Sequence, residues 1–308
     1  MELRLGTRAS LLARQQAQWV KKRVEELNPE ITVTLVNIKT TGDKLDIPLF
    51  QVGGKGLFVK EIEEALTRKE VDLAVHSAKD LPAVTPSGLE LVAFPERVDP
   101  RDALVGRERG ATVDGLPRGA RVGTGSLRRS AQLRSHRPDL QIVPLRGNVP
   151  TRLRKLETED LEAVILACAG LERLGLGARI DERVAPDVLL PAVAQGAIAV
   201  QARGGESLAR DLAAIGCAQS ARRALAERAF LTRLGGDCNV PLAALAELEA
   251  DSLRVRGLVI DTDGSRVAAA ERSAVPSQAE ATGVAVAEAV LADGGTEILE
   301  GLRSGEHT

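Results

Sequence analysis

The stretch RVGTGSLRRSAQL, residues 121–133, decides the fold. It reads as a short strand (121–125), a Gly-Ser turn, and a helix that begins near Leu127. A strand feeding a helix through a polar turn is the repeating unit of α/β proteins. The same unit recurs on both sides of it. Downstream, QIVPL (141–145) is a strand, a helix starts near Val149, and AVILA (163–167) is a strand. Upstream lie ALVG (103–106), LELVAF (89–94), VDLAVHS (71–77), ITVTLVNI (31–38) and a strand at 2–5. Helical patterns occupy about 58–68 and Ser10–Leu27, the latter with Trp19 assigned to its apolar face. Apolar strands alternating with helices predict parallel sheets. Pro95 and Pro100 divide them into two series, hence two α/β domains. KTTGDKLDIPLFQVGGKG (39–56), rich in Gly and broken by Pro48, is expected to be a long loop or lid. The tail differs. A helix (about 219–234), a strand pair (252–260 and 266–273) around Asp263-Gly264, and a helix (about 277–292) predict an α+β module.

Composition limits the functions available. The 308 residues suit two or three domains. A net charge of −2 gives no global field for nucleic acid or an anionic membrane. Aromatic residues are 2% of the chain, with no Tyr, which removes base-stacking platforms. No apolar run is long enough to span a bilayer, and the first residues lack the order of a signal peptide. Cys168, Cys217 and Cys238 fit neither a disulfide framework nor a zinc site. A cytoplasmic protein without metal is expected. Cys168 and Cys217 sit among apolar residues and are expected to be inert packing thiols. Cys238 instead lies in LGGDCNVP (234–241), a turn of Gly and Pro that displays a thiol rather than burying it.

Three strand-to-helix turns carry arginine: Thr7-Arg8-Ala9-Ser10, GTGSLRRS (123–130) and LRGNVPTRL (145–153). In parallel α/β folds these turns line the ligand cleft, and the helix starts offer free N–H groups to anions. Between 121 and 154 arginine recurs at 121, 128, 129, 134, 137, 146, 152 and 154, with Asp139 the only acid. This predicts a cationic pocket for carboxylates or phosphates. VDLAVHSAKDLP (71–82) ends its strand in a polar cluster in which Asp80 is the one carboxylate, beside Lys79. GGKGLFVK (53–60) departs from the spacing of a nucleotide P-loop.

Taken together, TRASLLA (7–13), GGKGLFVKEIE (53–63), AVHSAKDLP (74–82), RVGTGSLRR (121–129), LRGNVPTRL (145–153), LPAVAQGA (190–197) and LGGDCNVP (234–241) resemble, in this order, the porphobilinogen deaminase (hydroxymethylbilane synthase) family. The resemblance runs over nearly the whole chain. It implies a transferase that condenses four porphobilinogen molecules head to tail, releasing ammonia, on a dipyrromethane cofactor. It implies that Cys238 holds that cofactor through a thioether and that Asp80 stabilises cationic pyrrole intermediates. Lys79, Thr124, Ser126, Arg128, Arg129, Arg146 and Gly147 are implied to hold the cofactor. Arg8, Ser10, Arg152, Arg173 and Gln195 are implied for substrate, and Lys55 and Phe58 for a lid. The implied fold is α/β with three domains: 1–96 with 197–216, then 97–196, then 217–308. The first two resemble lobes of the bilobed periplasmic binding proteins (type II), and the third is α+β. A monomer is implied, with neither nucleic acid nor membrane as partner. Two other readings remain at this stage. A two-lobed binder of an organic anion accounts for the arginines but not for Cys238 or Asp80. A nucleic-acid binder conflicts with a pI of about 6.1.

Overall fold

The computed structural model describes residues 1–44, 56–205, 212–236 and 240–304. The first sheet contains β1 (Glu2–Arg8), β2 (Thr32–Ile38), β3 (Leu73–Ser77), β4 (Leu89–Ala93) and a late strand, β10 (Ile198–Arg203), in the order β2-β1-β3-β10-β4. The second contains β5 (Asp102–Gly106), β6 (Arg121–Thr124), β7 (Gln141–Pro144), β8 (Ala163–Ala167) and β9 (Glu182–Arg183), in the order β7-β6-β8-β5-β9. Both sheets share one plan. Three strands run parallel, as the alternation with helices requires: β2-β1-β3 and β7-β6-β8. The fourth position is antiparallel to both neighbours, β10 in one sheet and β5 in the other. The expectation of purely parallel sheets is corrected here. Each antiparallel strand enters its lobe directly from the other lobe, with no helix between to reverse its direction. Both are buried on both faces, so neither shows the alternation of a one-sided strand.

The helices begin where side chains cap them. Ser10 Oγ accepts the Ala13 N–H (3.3 Å) ahead of α1 (Leu11–Leu27). After α2 (Lys60–Thr67), Ser126 Oγ accepts the Arg129 N–H (3.5 Å) ahead of α3 (Leu127–His136). Asn148 Oδ1 accepts the Thr151 N–H (3.0 Å) ahead of α4 (Val149–Thr158), whose first turn contains Pro150. A short helix, α5 (Cys168–Arg173), follows β8 directly. Gln16, Ala17, Val20 and Val24 form the buried stripe of α1. Trp19 falls beside that stripe and is 42% exposed, so it is not core packing.

The C-terminal unit packs α6 (Ala218–Arg233) and α7 (Ala279–Val290) on an antiparallel sheet of β11 (Leu242–Glu249), β12 (Ser252–Ile260) and β13 (Val267–Ala274). The chain then forms α8 (Thr296–Ser304). On β12 the buried and partly exposed positions alternate, the signature of a sheet covered on one face. Phe230 of α6 is fully buried over Gly257, where a Cβ would lie 2.3 Å from its ring. This core is continuous with Ala78, Leu81, Phe94, Val193 and Ala194, so the C-terminal unit docks against the first lobe and the crossing segments. The fold class is α/β in two matching lobes, followed by an α+β unit.

Candidate active site

Each lobe directs the ends of its parallel strands toward the crossing segment Leu190–Ala197, and the charged residues gather there. At the end of β3 the chain turns through a short 3-10 segment, Ala78–Asp80, with Ala78 buried and Lys79 and Asp80 half-buried. Arg8, at the end of the neighbouring β1, places a guanidinium nitrogen 3.9 Å from Asp80 Oδ2. The same guanidinium lies 4.0 Å from the centre of the Phe58 ring, a cation–π contact. Phe58 thus touches the site wall from the segment read as a lid. Lys55 lies outside the described residues, as does most of that segment.

Gln195 joins the two lobes. It is 1% exposed. Its Oε1 accepts from Lys79 Nζ of the first lobe (3.2 Å), and its Nε2 donates to Asp102 Oδ1 of the second (2.8 Å) and to the Pro100 carbonyl (2.8 Å). The backbone turns sharply to present it, with Ala194 at φ 56° and Gly196 at φ 86° on either side. At Gly196 a Cβ would meet the Val98 carbonyl oxygen at 2.6 Å, so glycine is required twice over. Arg173 adds a hydrogen bond from its Nη2 to the Gly196 carbonyl (2.8 Å).

Asp102, at the start of β5, is the site's unexpected member. It is fully buried. Its Oδ2 accepts from Arg128 Nη1 (2.8 Å), and its Oδ1 accepts from Arg129 Nε (3.0 Å) and Nη2 (2.6 Å). Arg128 also donates to the Leu190 carbonyl (2.7 Å) and Arg129 to that of Ile165 (3.1 Å). Burial alone would raise the Asp102 carboxyl, but the charges of Arg128 and Arg129 outweigh it and hold it well below the usual range. Two arginines read as open ligands therefore share a buried carboxylate. The sequence window 121–154 contains only one acid because Asp102 comes from outside it. The available signal was an aspartate at the first position of an apolar strand, where an unpaired charge would not be tolerated.

Beyond this pair the site stays cationic. Arg152 donates from Nε to the Gly147 carbonyl (2.7 Å). Burial, then the charges of Arg129 and Arg146, push its pKa down to about 10. Burial also pushes Arg173 down to about 10. Lys79 is pushed down to about 8 by burial, then by Arg129. Lys79 and Arg152 both sense the charge of Arg129, which places these cations in one neighbourhood. Gly147, at φ 113°, lies over Thr151, whose Cγ2 would be 2.6 Å from a Cβ. The hydroxyls serve locally: Ser10 and Ser126 cap helices, and buried Thr124 accepts the Ser126 N–H (3.3 Å).

Cys238 lies outside the described residues. Cys168 is buried, and burial pushes its thiol up to about 12, as suits a packing cysteine. Cys217 departs from that expectation. It is half-buried just ahead of α6, and a hydrogen bond with Ser220 holds its thiol below the ordinary value. Among the described residues no group of His, Cys, Asp or Glu is placed to hold a metal ion, and no helix is long and apolar enough to cross a membrane.

The fold and site define a two-lobed α/β protein with clustered arginines and a lysine beside a carboxylate. Family models named "Porphobilinogen deaminase, dipyromethane cofactor binding domain" and "Porphobilinogen deaminase, C-terminal domain" match residues 3–211 and 221–292. The porphobilinogen deaminase of Syntrophotalea carbinolica is 53% identical over 302 residues, covering 97% of this chain and 96% of that protein. That of Geobacter metallireducens is 50% identical, covering 97% and 94%, and that of Roseiflexus sp. strain RS-1 is 51% identical, covering 96% and 98%. The chain belongs to the porphobilinogen deaminase family, transferases of tetrapyrrole biosynthesis that work with a dipyrromethane cofactor.

Proposed function

We propose that this chain grows its product on a dipyrromethane primer held by a thioether to Cys238, with Asp80 as the catalytic carboxylate. The observation that carries the reading is Asp80 at the end of β3, 3.9 Å from Arg8 and next in sequence to Lys79, whose amine bonds Gln195. The residues suit the group. A primer with carboxylate arms needs several cations within reach of one another. The charges of Arg129 and Arg146 both act on Arg152, which supports a cluster of three cations in these turns. When bound, the primer would supply the pyrrole carbon to which the first porphobilinogen is joined.

The chain's own residues do the rest. Arg8, Arg146, Arg152 and Arg173 bind the acetate and propionate arms as bidentate forks. Lys79 adds a single charged donor beside them. Arg128 and Arg129 turn their remaining charge to the primer while Asp102 fixes their orientation. Ser10, Thr124, Ser126, Gly147 and Gln195 line the same turns, and Lys55 and Phe58 close over it. Asp80 accepts hydrogen bonds from pyrrole N–H groups and offsets the positive charge that develops on them. In its protonated form it first gives its proton to the departing amine, and is left as the carboxylate that accepts those bonds. We assign three domains, 1–96 with 197–216, 97–196, and 217–308, in a cytoplasmic monomer that takes porphobilinogen and neither nucleic acid nor membrane.

Intact mass of the purified chain beside Cys238→Ser tests the tether. A wild-type excess equal to two condensed porphobilinogen units, absent from the variant, is expected. A bare wild-type mass that added porphobilinogen does not change would return the anion-binding module. Asp80→Ala should fold, keep the added mass and lose nearly all turnover; near-normal activity would remove Asp80 from the chemistry.

A further inference from the structure

We propose that Arg228, assisted by Thr232, is a positioning residue that sets Asp80 against the segment leading to Cys238. The proposal rests on the roles given above to Asp80 and Cys238. After Asp80 the chain leaves the first lobe through Leu81, Pro82 and Ala83, where no strand partner exists. The Pro82 and Ala83 carbonyls are taken up instead by Arg228 Nη2 on α6, at 3.0 and 3.1 Å. Thr232, one turn further along α6, donates its hydroxyl to the Ala83 carbonyl at 3.2 Å. The other side of Ala83 meets Gly236: a Cβ there would lie 2.8 Å from Ala83 Cβ and 2.9 Å from the Leu231 carbonyl oxygen.

Pro82 and Ala83 are thus clamped between α6 and Gly236. Asp80 stands two residues before the clamp, and Cys238 stands two residues after Gly236 in sequence. One short contact therefore links the catalytic carboxylate to the chain that carries the proposed tether, across the boundary between the first lobe and the C-terminal unit.

The choice of side chain argues against simple filling. Arg228 is 7% exposed, and its Nη1 is buried without a hydrogen-bond partner among the described residues. Burial pulls its pKa down, with Glu63 opposing at longer range. A buried guanidinium that leaves one nitrogen unsatisfied is a poor choice for stability alone. Both carbonyls are met by the one nitrogen Nη2, whose two N–H groups lie in the fixed plane of the guanidinium and so set direction as well as distance. Small misplacements of a reacting group cost far more in turnover than in substrate affinity.

The test measures kcat, KM for porphobilinogen, intact mass and Tm on the purified holoenzyme, for wild type, Arg228→Met, Arg228→Lys and Thr232→Val. Arg228→Met is expected to keep the wild-type added mass and a KM within about twofold, while kcat falls about thirtyfold. Arg228→Lys, which can still donate to both carbonyls, should recover much of that loss. Thr232 is exposed, so Thr232→Val should leave Tm unchanged and lower kcat roughly two- to threefold. A raised KM with intact kcat overturns the proposal, as does wild-type kcat in Arg228→Met. If Arg228→Met does not fold, Thr232→Val decides: wild-type kcat in that variant overturns it. A wild-type chain that lacks the two-unit mass and does not gain it from added porphobilinogen would remove the tether, and this proposal with it, before any variant is compared.

Discussion

Asp102 shows what a single residue can hide from a sequence reading. Arg128 and Arg129 were legible as a cationic pair at a helix start, because their spacing and the preceding Gly-Ser turn are local. Their partner was not legible, because it arrives from a different strand of the sheet. Asp102→Asn removes the carboxylate charge but keeps the shape, leaving two buried guanidiniums uncompensated. It should lower unfolding stability by about 3–5 kcal/mol, read from urea denaturation. Lys79 gives a prediction in pH. Its amine is pushed down to about 8, so the charge that would bind a carboxylate is present below pH 8 and lost above it. KM for porphobilinogen should rise between pH 7 and 9, and Lys79→Arg should flatten that rise. The stability effect has the opposite sense. The folded amine prefers to be neutral, so its contribution to stability grows as pH climbs from about 8 toward the ordinary 10.5.

At the scale of elements, the periodic segments were legible and the inserted ones were not. Strands β1 to β3 and β6 to β8 announce themselves by apolar runs set between caps and turns. β10 is hard to read from sequence because IAVQAR continues the apolar crossing LPAVAQGA (190–197) and shows no alternation. β11, LAALAELE, has the residues of a helix and becomes a strand only through pairing with β12. The β3–β10 pairing carries its own test. His76 on β3 is buried and hydrogen-bonded to Gln201 on β10 at 2.9 Å. Burial pushes its pKa down to about 4, from an ordinary 6.5. The unfolded chain therefore takes up the proton first as pH falls. The stability from neutral His76 is fully present above about pH 6.5 and is lost on the way down to about pH 4. Unfolding free energy measured across that window should fall with a slope of up to ~1.4 kcal/mol per pH unit from this group. His76→Gln should remove that share of the slope.

For the whole molecule, the tie between units is a fully buried ion pair. Arg97, on one crossing segment, meets Glu227 of α6 at 2.6 Å, with side chains 1% and 0% exposed. Glu227 also accepts the Ala194 N–H (2.5 Å) from the other crossing segment and the Ala246 N–H (2.7 Å) from β11. One carboxylate thus holds both crossings and the C-terminal sheet. Glu227→Gln should cost about 3–5 kcal/mol of stability. The double variant Arg97→Met/Glu227→Gln should cost less than the sum of the two single changes, by ~1–3 kcal/mol, in a double-mutant cycle read by urea denaturation. Nothing in the sequence order of these residues reveals the tie. The separation of Arg97 from Glu227 is set by the path of the chain, and only the motif order over the full length implied that path.

The crossed strands also fix the order in which a nascent chain can mature. The second sheet is complete once residue 183 has been made, since all of its strands lie between 102 and 183. The first sheet, begun at residue 2, waits for 198–203, because among the described residues β4 has no other partner and β3 lacks one on that side. On the ribosome the lobe synthesised first is therefore the one closed last. Until then β3 and β4 expose unpaired edges, and the strand that will bear Lys79 and Asp80 at its end is the one left open.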